Sequence, residues 1–226
     1  MNLLITAGAT REPIDDVRFL SNVSTGRTGA ALAGYFREAG HAVTLLHGEG
    51  AVTPPTDLFC EAFSSAEDLK SRLQRHLSTG KYDAVIMTAA IADFRPAQSV
   101  AGKISSEQSE LTLRLVRNEK ILPQLKKFSP RSLTVVGFKL TVAADESARH
   151  AAVTEQFASG GVDLVVHNDL AELRAFPRDR HPFWVYRSAT TPPVKSLGAT
   201  ALAAQLEMLV KSNTDSGPVV SNPAIV

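Results

Sequence analysis

Residues 2–35 read NLLITAGATREPIDDVRFLSNVSTGRTGAALAGY, and this stretch decides the fold. Asn2 to Thr6 is a short apolar run that stops at a glycine, the pattern of a buried β-strand. From about Thr28 to Ala39, Leu32, Phe36 and Ala39 recur at helical spacing, and Gly40 follows as a C-terminal stop. The roughly twenty residues between strand and helix are too many for an ordinary βα turn of about 2–6. That loop carries Arg11, Asp15, Asp16, Arg18, Asn22, Ser24, Thr25 and Arg27, with Gly26 and Gly29 where the helix begins. A loop above the carboxyl end of a first strand is where open α/β sheets bind ligands. Glycines there let backbone N–H groups approach a phosphate, and the helix N-terminus adds partial positive charge.

Working outward, Ala42–Leu46, Leu58–Phe63, Ala84–Ala90, Leu133–Phe138 and Asp163–Val166 read as further strands, Leu111–Val116 as a half-exposed strand by its alternation, and Phe183–Tyr186 as a late strand. Helices are expected from Ser64-Ser65 to Gly80, from Glu119 to Lys127, from Ala143 to Gln156 and from Thr200 to Lys211. Ser64 with Glu67 fits a capping box, and Pro123 interrupts the short second helix of this set. Residues 48–56 and 91–110 read as loops. The alternation predicts an α/β fold: a three-layer, mostly parallel, Rossmann-like sheet with helices on both faces. Residues 1–211 form a single domain in this reading, and 212–226, without period, a flexible C-terminal tail.

Composition narrows the function. The 226 residues carry a formal net charge of +1, which supplies no basic field for nucleic acid or an anionic membrane. Cys60 is the only cysteine, so neither an intrachain disulfide nor a cysteine-rich zinc site is available. The histidines lack ligand spacing, and no protein-held metal is expected. No signal peptide and no membrane span is read, so a cytoplasmic location is expected, and the sequon at Asn22-Val23-Ser24 reads as site residues rather than a glycan acceptor.

The glycine loop does not fit a dinucleotide fingerprint, because Gly8 is separated from Gly26 by the long loop. No Walker pattern occurs, and no tyrosine stands four residues before a lysine. Gly26 and Gly29 also suit close packing of helix on sheet, and Asn22 and Ser24 also suit helix caps. Four further spots fall at or beyond strand ends: Ala89-Ala90 with Asp93, Lys103, Phe138-Lys139, and His167-Asn168-Asp169. Their common position argues for one shared crevice.

TAGATREPIDDVRFLSNVSTGRTGAALA, MTAAIADFRP, GKI at 102–104, LTLRLVRNEKIL, VVGFKL and DLVVHND resemble, in order, the signature blocks of the phosphopantothenoylcysteine synthetase family. The resemblance runs from residue 2 to about 170. It implies a phosphopantothenate–cysteine ligase of coenzyme A biosynthesis. Such an enzyme activates 4′-phosphopantothenate as an acyl-nucleotide with CTP or ATP, then condenses it with cysteine. By this resemblance Gly8, Ser24, Gly26, Gly29, Phe138 and Asn168 hold the nucleotide. Asn22 holds the acyl-nucleotide carbonyl as the catalytic residue. Ala89, Ala90, Asp93 and Lys103 bind substrate, and Arg18 reaches the substrate phosphate across a homodimer interface. Mg²⁺ arrives on the triphosphate. A stand-alone form is implied, with the flavin decarboxylase as a separate protein. The sequence departs from the family at a flap lysine ahead of DLVVHND, where Glu155 or Gln156 stands, and in the second half of the K-I-K-K segment, which is Ser105-Ser106 here. Either another cation substitutes, Arg149 first, or the chain is a nucleotide-binding relative with weakened or lost activity.

Overall fold

A computed structural model describes residues 1–52, 57–107, 109–177 and 179–215. In chain order its strands are β1 (Asn2–Ala7), β2 (Arg11–Pro13), β3 (Phe19–Ser21), β4 (Ala42–Gly48), β5 (Phe59–Phe63), β6 (Ala84–Met87), β7 (Phe94–Pro96), β8 (Leu115–Arg117), β9 (Thr134–Thr141), β10 (Leu164–Asp169), β11 (Pro182–Tyr186) and β12 (Val194–Leu197). The helices are α1 (Arg27–Glu38), α2 (Ala66–Leu77), α3 (Leu125–Phe128), α4 (Glu146–Ala158), α5 (Leu170–Ala175) and α6 (Gly198–Asp215). One eight-stranded sheet runs β12-β11-β10-β9-β6-β1-β4-β5. Its neighbours pair in parallel from β5 to β10, and β11 and β12 add antiparallel at one edge. Two short ribbons, β2–β3 and β7–β8, stand outside this sheet.

Period-two alternation divides the core into two layers. Leu3, Ile5, Ile86, Val136 and Val166 face α1 and α6, where Leu32, Phe36, Leu202 and Leu206 are fully buried. Leu4, Val85 and Val135 face Leu69, Leu73 and Leu77 of α2 and Leu125 of α3. Val165 packs beneath Val153 of α4 on the same side. The arrangement is the expected three-layer α/β sheet.

Several expected boundaries move. The strand read over Leu111–Val116 shrinks to β8, and Leu111, Leu113 and Leu115 are exposed, because this ribbon has no covering layer to bury its alternate residues. The helix read over Glu119–Lys127 becomes a single 3₁₀ turn, Leu122–Gln124, followed by the four-residue α3; Pro123 cannot donate to a longer helix. The helix expected from Ala143 begins at Glu146 instead. Asp145 caps it by accepting from Ala148 N at 2.7 Å, while Ala143 sits at φ +49°. The cap of α2 is Ser65, whose hydroxyl accepts from Asp68 N at 3.2 Å, one residue later than read. Residues 91–110, read as loop, contain β7. Residues 212–215, read as tail, continue α6; the remainder of that tail, and residues 53–56 of the loop at 48–56, lie outside the described residues.

Candidate active site

Strand order reverses between β1 and β6, and the chain beyond their carboxyl ends is tied together there. Ala90 N donates to Gly8 O at 2.8 Å, Thr10 N donates to Ala90 O at 3.2 Å, and Ala92 N donates to the Thr10 hydroxyl at 3.0 Å. Ser21 Oγ donates to Thr10 O at 2.7 Å, which brings the end of β3 over this seam. Asn22 follows directly, and its Nδ2 donates to Ile91 O at 3.1 Å. The side-chain amide is thereby fixed above the Ala89–Asp93 segment, with its second N–H still available. The N-cap of α1 is Gly26, with no side-chain cap, so neither Asn22 nor Ser24 serves as the cap.

The glycines make one wall of this crevice. Gly8 at φ +82° and Gly26 at φ +76° adopt a backbone that side chains disfavour, and a Cβ on Gly26 would stand 3.0 Å from Gly8 N. A Cβ on Gly29 would meet Thr88 Oγ1 at 2.5 Å and Ala7 Cβ at 2.7 Å. A Cβ on Gly48 would overlap Ala9 O. The N-terminus of α1 carries no acidic residue in its first turn, so its partial positive charge is uncompensated.

A cavity of about 280 Å³ opens beside this wall, between β6, β9, the 3₁₀ turn and α4. Its inner surface is buried and mostly apolar: Met87, Ala92 and Ile121, with the amide of Gln156, which is 7% exposed and whose Oε1 has no partner. Ala89 and Phe138 also line it. Its rim is charged. Lys120 Nζ lies 2.5 Å from Asp93 Oδ1, and Lys139 Nζ lies 3.3 Å from Glu155 Oε2. Gly161, between α4 and β10, packs against the backbone of the lining residue Pro123, since a Cβ there would stand 2.9 Å from Pro123 Cα.

Gly8, Asn22, Gly26, Gly29, Ala89, Ala90, Asp93 and Phe138 are therefore gathered around one crevice and its cavity, and half-buried Ser24 lies two residues before Gly26. Arg18 and Lys103 form a separate group. Buried Asp15 accepts from Val17 N, Arg18 N and Ile104 N at 2.8, 2.6 and 3.1 Å, and Arg18 Nη1 reaches its Oδ2 at 3.0 Å. Burial works against the Asp15 charge, but the backbone donors of Ile104, Val17 and Arg18 outweigh it and hold its carboxyl below the ordinary value. Lys103, exposed, sits beside Ile104 in the strip so pinned. Asn168 is half-buried at the end of β10, opposite Leu140, and does not line the cavity. Arg149 is not at the cavity either: it lies over the Trp184 ring at 4.9 Å and pairs with Glu172 at 3.6 Å. Lys120, Asn118 and Gln156 line the cavity without having been singled out as ligand contacts from sequence.

Beneath α4, Asp169 is 2% exposed and accepts from Thr141 Oγ1 at 2.6 Å and from the backbone of Ala143, Ala144 and Ala171. Burial opposes its charge, yet these four donors hold its carboxyl far below the usual carboxylate range. His167 Nε2 is 2.8 Å from the same Thr141 hydroxyl, and burial, with the Arg149 charge, pushes its imidazole down to about 4. Among the described residues no group of three His, Cys, Asp or Glu is placed to hold a metal ion, and no helix is long and apolar enough to cross a membrane.

Fold and crevice define a doubly wound α/β protein with a crevice at the reversal of strand order, the place where ligands bind in open α/β sheets. Residues 1–212 match the family described as the DNA/pantothenate metabolism flavoprotein C-terminal domain, and the chain belongs to that family. It is 35% identical over 211 residues to the coenzyme A biosynthesis bifunctional protein CoaBC of Mycobacterium tuberculosis H37Rv, covering 89% of this chain and 50% of that protein. The Escherichia coli K12 CoaBC is 32% identical over 192 residues, covering 81% of this chain and 46% of the relative. The chain thus spans about half the length of these relatives. A solved C-terminal domain of CoaBC superposes with TM-score 0.74 at 26% identity, covering 95% of this chain and 96% of that one. The DNA/pantothenate metabolism flavoprotein of Streptococcus pneumoniae gives TM-score 0.82 at 24% identity, covering 94% and 99%, a likeness of fold.

Proposed function

We propose that this chain is a phosphopantothenate–cysteine ligase that activates 4′-phosphopantothenate with CTP or ATP and condenses the acyl-nucleotide with cysteine. The observation that carries the reading is the Asn22 amide, fixed on Ile91 O over the Ala89–Asp93 segment and beside the glycine wall. The likeness to the C-terminal halves of bifunctional coenzyme A proteins supports it.

In this reading the backbone around Gly8, Gly26 and Gly29 receives phosphate oxygens, helped by the bare N-terminus of α1. Phe138 and Asn168 receive the nucleoside, and Ala89, Ala90 and Asp93 the pantothenate moiety. The free N–H of Asn22 donates to the acyl oxygen as cysteine's amine attacks and negative charge develops there. Mg²⁺, a hard cation, accompanies the triphosphate and offsets its charge. Arg18 and Lys103 act from the outlying ribbons, where Val17, Phe19, Phe94 and Leu115 are exposed. A second copy of the chain covering these apolar residues would form a homodimer and bring Arg18 to its neighbour's substrate phosphate.

The test is pyrophosphate release with phosphopantothenate and each nucleotide, with and without cysteine. Release with CTP or ATP, and phosphopantothenoylcysteine formed only when cysteine is added, is the expected result. Binding without any release would leave a nucleotide-binding relative in place of the ligase.

A further inference from the structure

We infer that Lys139 grips the departing phosphates of the nucleotide, and that Glu155 occupies it in the free protein as a stand-in for that anion. The inference rests on the ligase reading and deepens it. When the substrate carboxylate oxygen bonds to the α-phosphorus, the bond from that phosphorus to the bridging oxygen breaks. Pyrophosphate then leaves with the electron pair. A positioned cation beside it lowers the barrier.

Among the described residues lining the cavity, only Lys120 and Lys139 are cationic. Arg149 is engaged with Trp184 and Glu172, and Gln156 carries no charge. The two lysines are not equivalent. Lys120 lies on the coil before the 3₁₀ turn with a side chain 72% exposed. Lys139 stands within β9, directly after Phe138 and paired in register with His167 of β10. Its side chain is only 33% exposed, so its stem is supported. A group on a rigid strand holds its geometry better than one on a loop.

Its present partner is held loosely. The Glu155 carboxylate is 78% exposed at 3.3 Å, and an ion pair of that kind is screened and adds little stability. A multiply charged phosphate group presents more negative charge to the same ammonium and displaces the carboxylate. The cavity itself holds an apolar inner surface and this charged rim, so the departing phosphates are expected across the rim and not at its floor.

Calorimetric titration with inorganic pyrophosphate, CTP and ATP tests this together with steady-state pyrophosphate release. Lys139→Ala should weaken pyrophosphate binding about tenfold or more and lower kcat at least as much, as loss of a charge-assisted contact does. The phosphopantothenate KM should stay within about twofold. Lys139→Arg should restore most of both losses. Glu155→Gln should tighten nucleotide binding about two- to fivefold by removing the competing carboxylate. Lys139→Met, which keeps the packed stem, stands in for the alanine variant if that one fails to fold. Wild-type affinity and turnover in Lys139→Ala or Lys139→Met would overturn the inference and leave the ligase reading standing, as would weaker nucleotide binding in Glu155→Gln. Lysine-dependent binding without turnover in any wild-type assay would overturn the ligase reading and leave the anion site. A wild type that binds none of the three probes overturns both.

Discussion

The two walls of the site are built from different materials. The wall over β1 and α1 is backbone: Gly8, Gly26, Gly29 and Gly48 are packed so closely that added methyl groups would strike carbonyls, amides or neighbouring side chains. The wall between the 3₁₀ turn, β9 and α4 is side chain, with carboxylates and lysines paired across a rim open to solvent. A wall of backbone fails by overlap, and fails for any substituent. A wall of charged side chains tolerates substitution in the fold and changes what the site attracts.

Gly48→Ala attacks the first wall directly. Its Cβ would overlap Ala9 O and stand 3.0 Å from Ala9 N, so the seam from β1 to the crevice must shift. A loss of about 3 kcal/mol is expected, as for other overpacked interiors. That is a fall in Tm of about 6–12 °C for a chain of this size. Lys120→Ala, on the second wall, should stay within about 0.5 kcal/mol. Equal losses in thermal unfolding would dissolve the contrast between the walls.

Asn22→Asp probes the seam between them. The fold should survive, but a carboxylate would face Ile91 O in place of an amide donor. Turnover should fall about a hundredfold. Mixed with Arg18→Ala protein, the variant should recover roughly a quarter of wild-type activity from random pairing of copies. No recovery in verified heterodimers would place Arg18 in its own chain's site.

The smallest effect belongs to the layer under α4. His167 is fully buried with its value pushed down to about 4, so the unfolded chain takes up the proton first as pH falls. The stability it contributes is complete above its unfolded value of 6.5 and declines as pH drops toward about 4. Between pH 7.5 and 4.5 the loss should be about 2 kcal/mol. The lowered carboxylates of Glu61 and Glu207, at about 2, and of Asp169 begin to lose their stability near the ordinary carboxylate value and lose most of it in more acid solution. Urea unfolding at both pH values should show the loss in wild type. It should be much smaller in His167→Gln, which keeps a donor for Thr141 and does not titrate, leaving only the part due to the carboxylates; a variant with the same pH dependence as wild type would assign the loss elsewhere.

The same contrast explains what could be read from the chain. The glycine wall is local: Gly8 to Gly29 fall within one strand–loop–helix unit, and the loop length with its glycines marked the crevice. The parallel sheet was legible for a similar reason, since Ala84–Met87 and Leu164–Val166 are short apolar runs bounded by turns. The charged wall is not local. Lys120 and Asp93 are 27 residues apart, Lys139 and Glu155 are 16 apart, and neither spacing follows the period of a helix or a strand. Lys139 was visible only as a residue at a strand end. Strands β2, β3 and β7 were missed because three residues, one of them a proline in both β2 and β7, are too few to show alternation. The absence of Arg149 from the cavity is also tertiary: only the sheet edge at β11 puts Trp184 beneath its guanidinium.

Gly161 has a dimensional consequence. Pro123 forms one jaw of the cavity, and Gln156 on α4 with Ser159 just after it forms the other. The jaws meet at their heel where the backbone of Pro123 rests against residue 161. At the far end of α4, Asp169 clamps the chain before the helix through Ala143 and Ala144, so the second jaw is held at both ends. The missing methyl of one glycine thus sets how near the two jaws come at that point, since any side chain at residue 161 would press on the Pro123 backbone and hold them further apart.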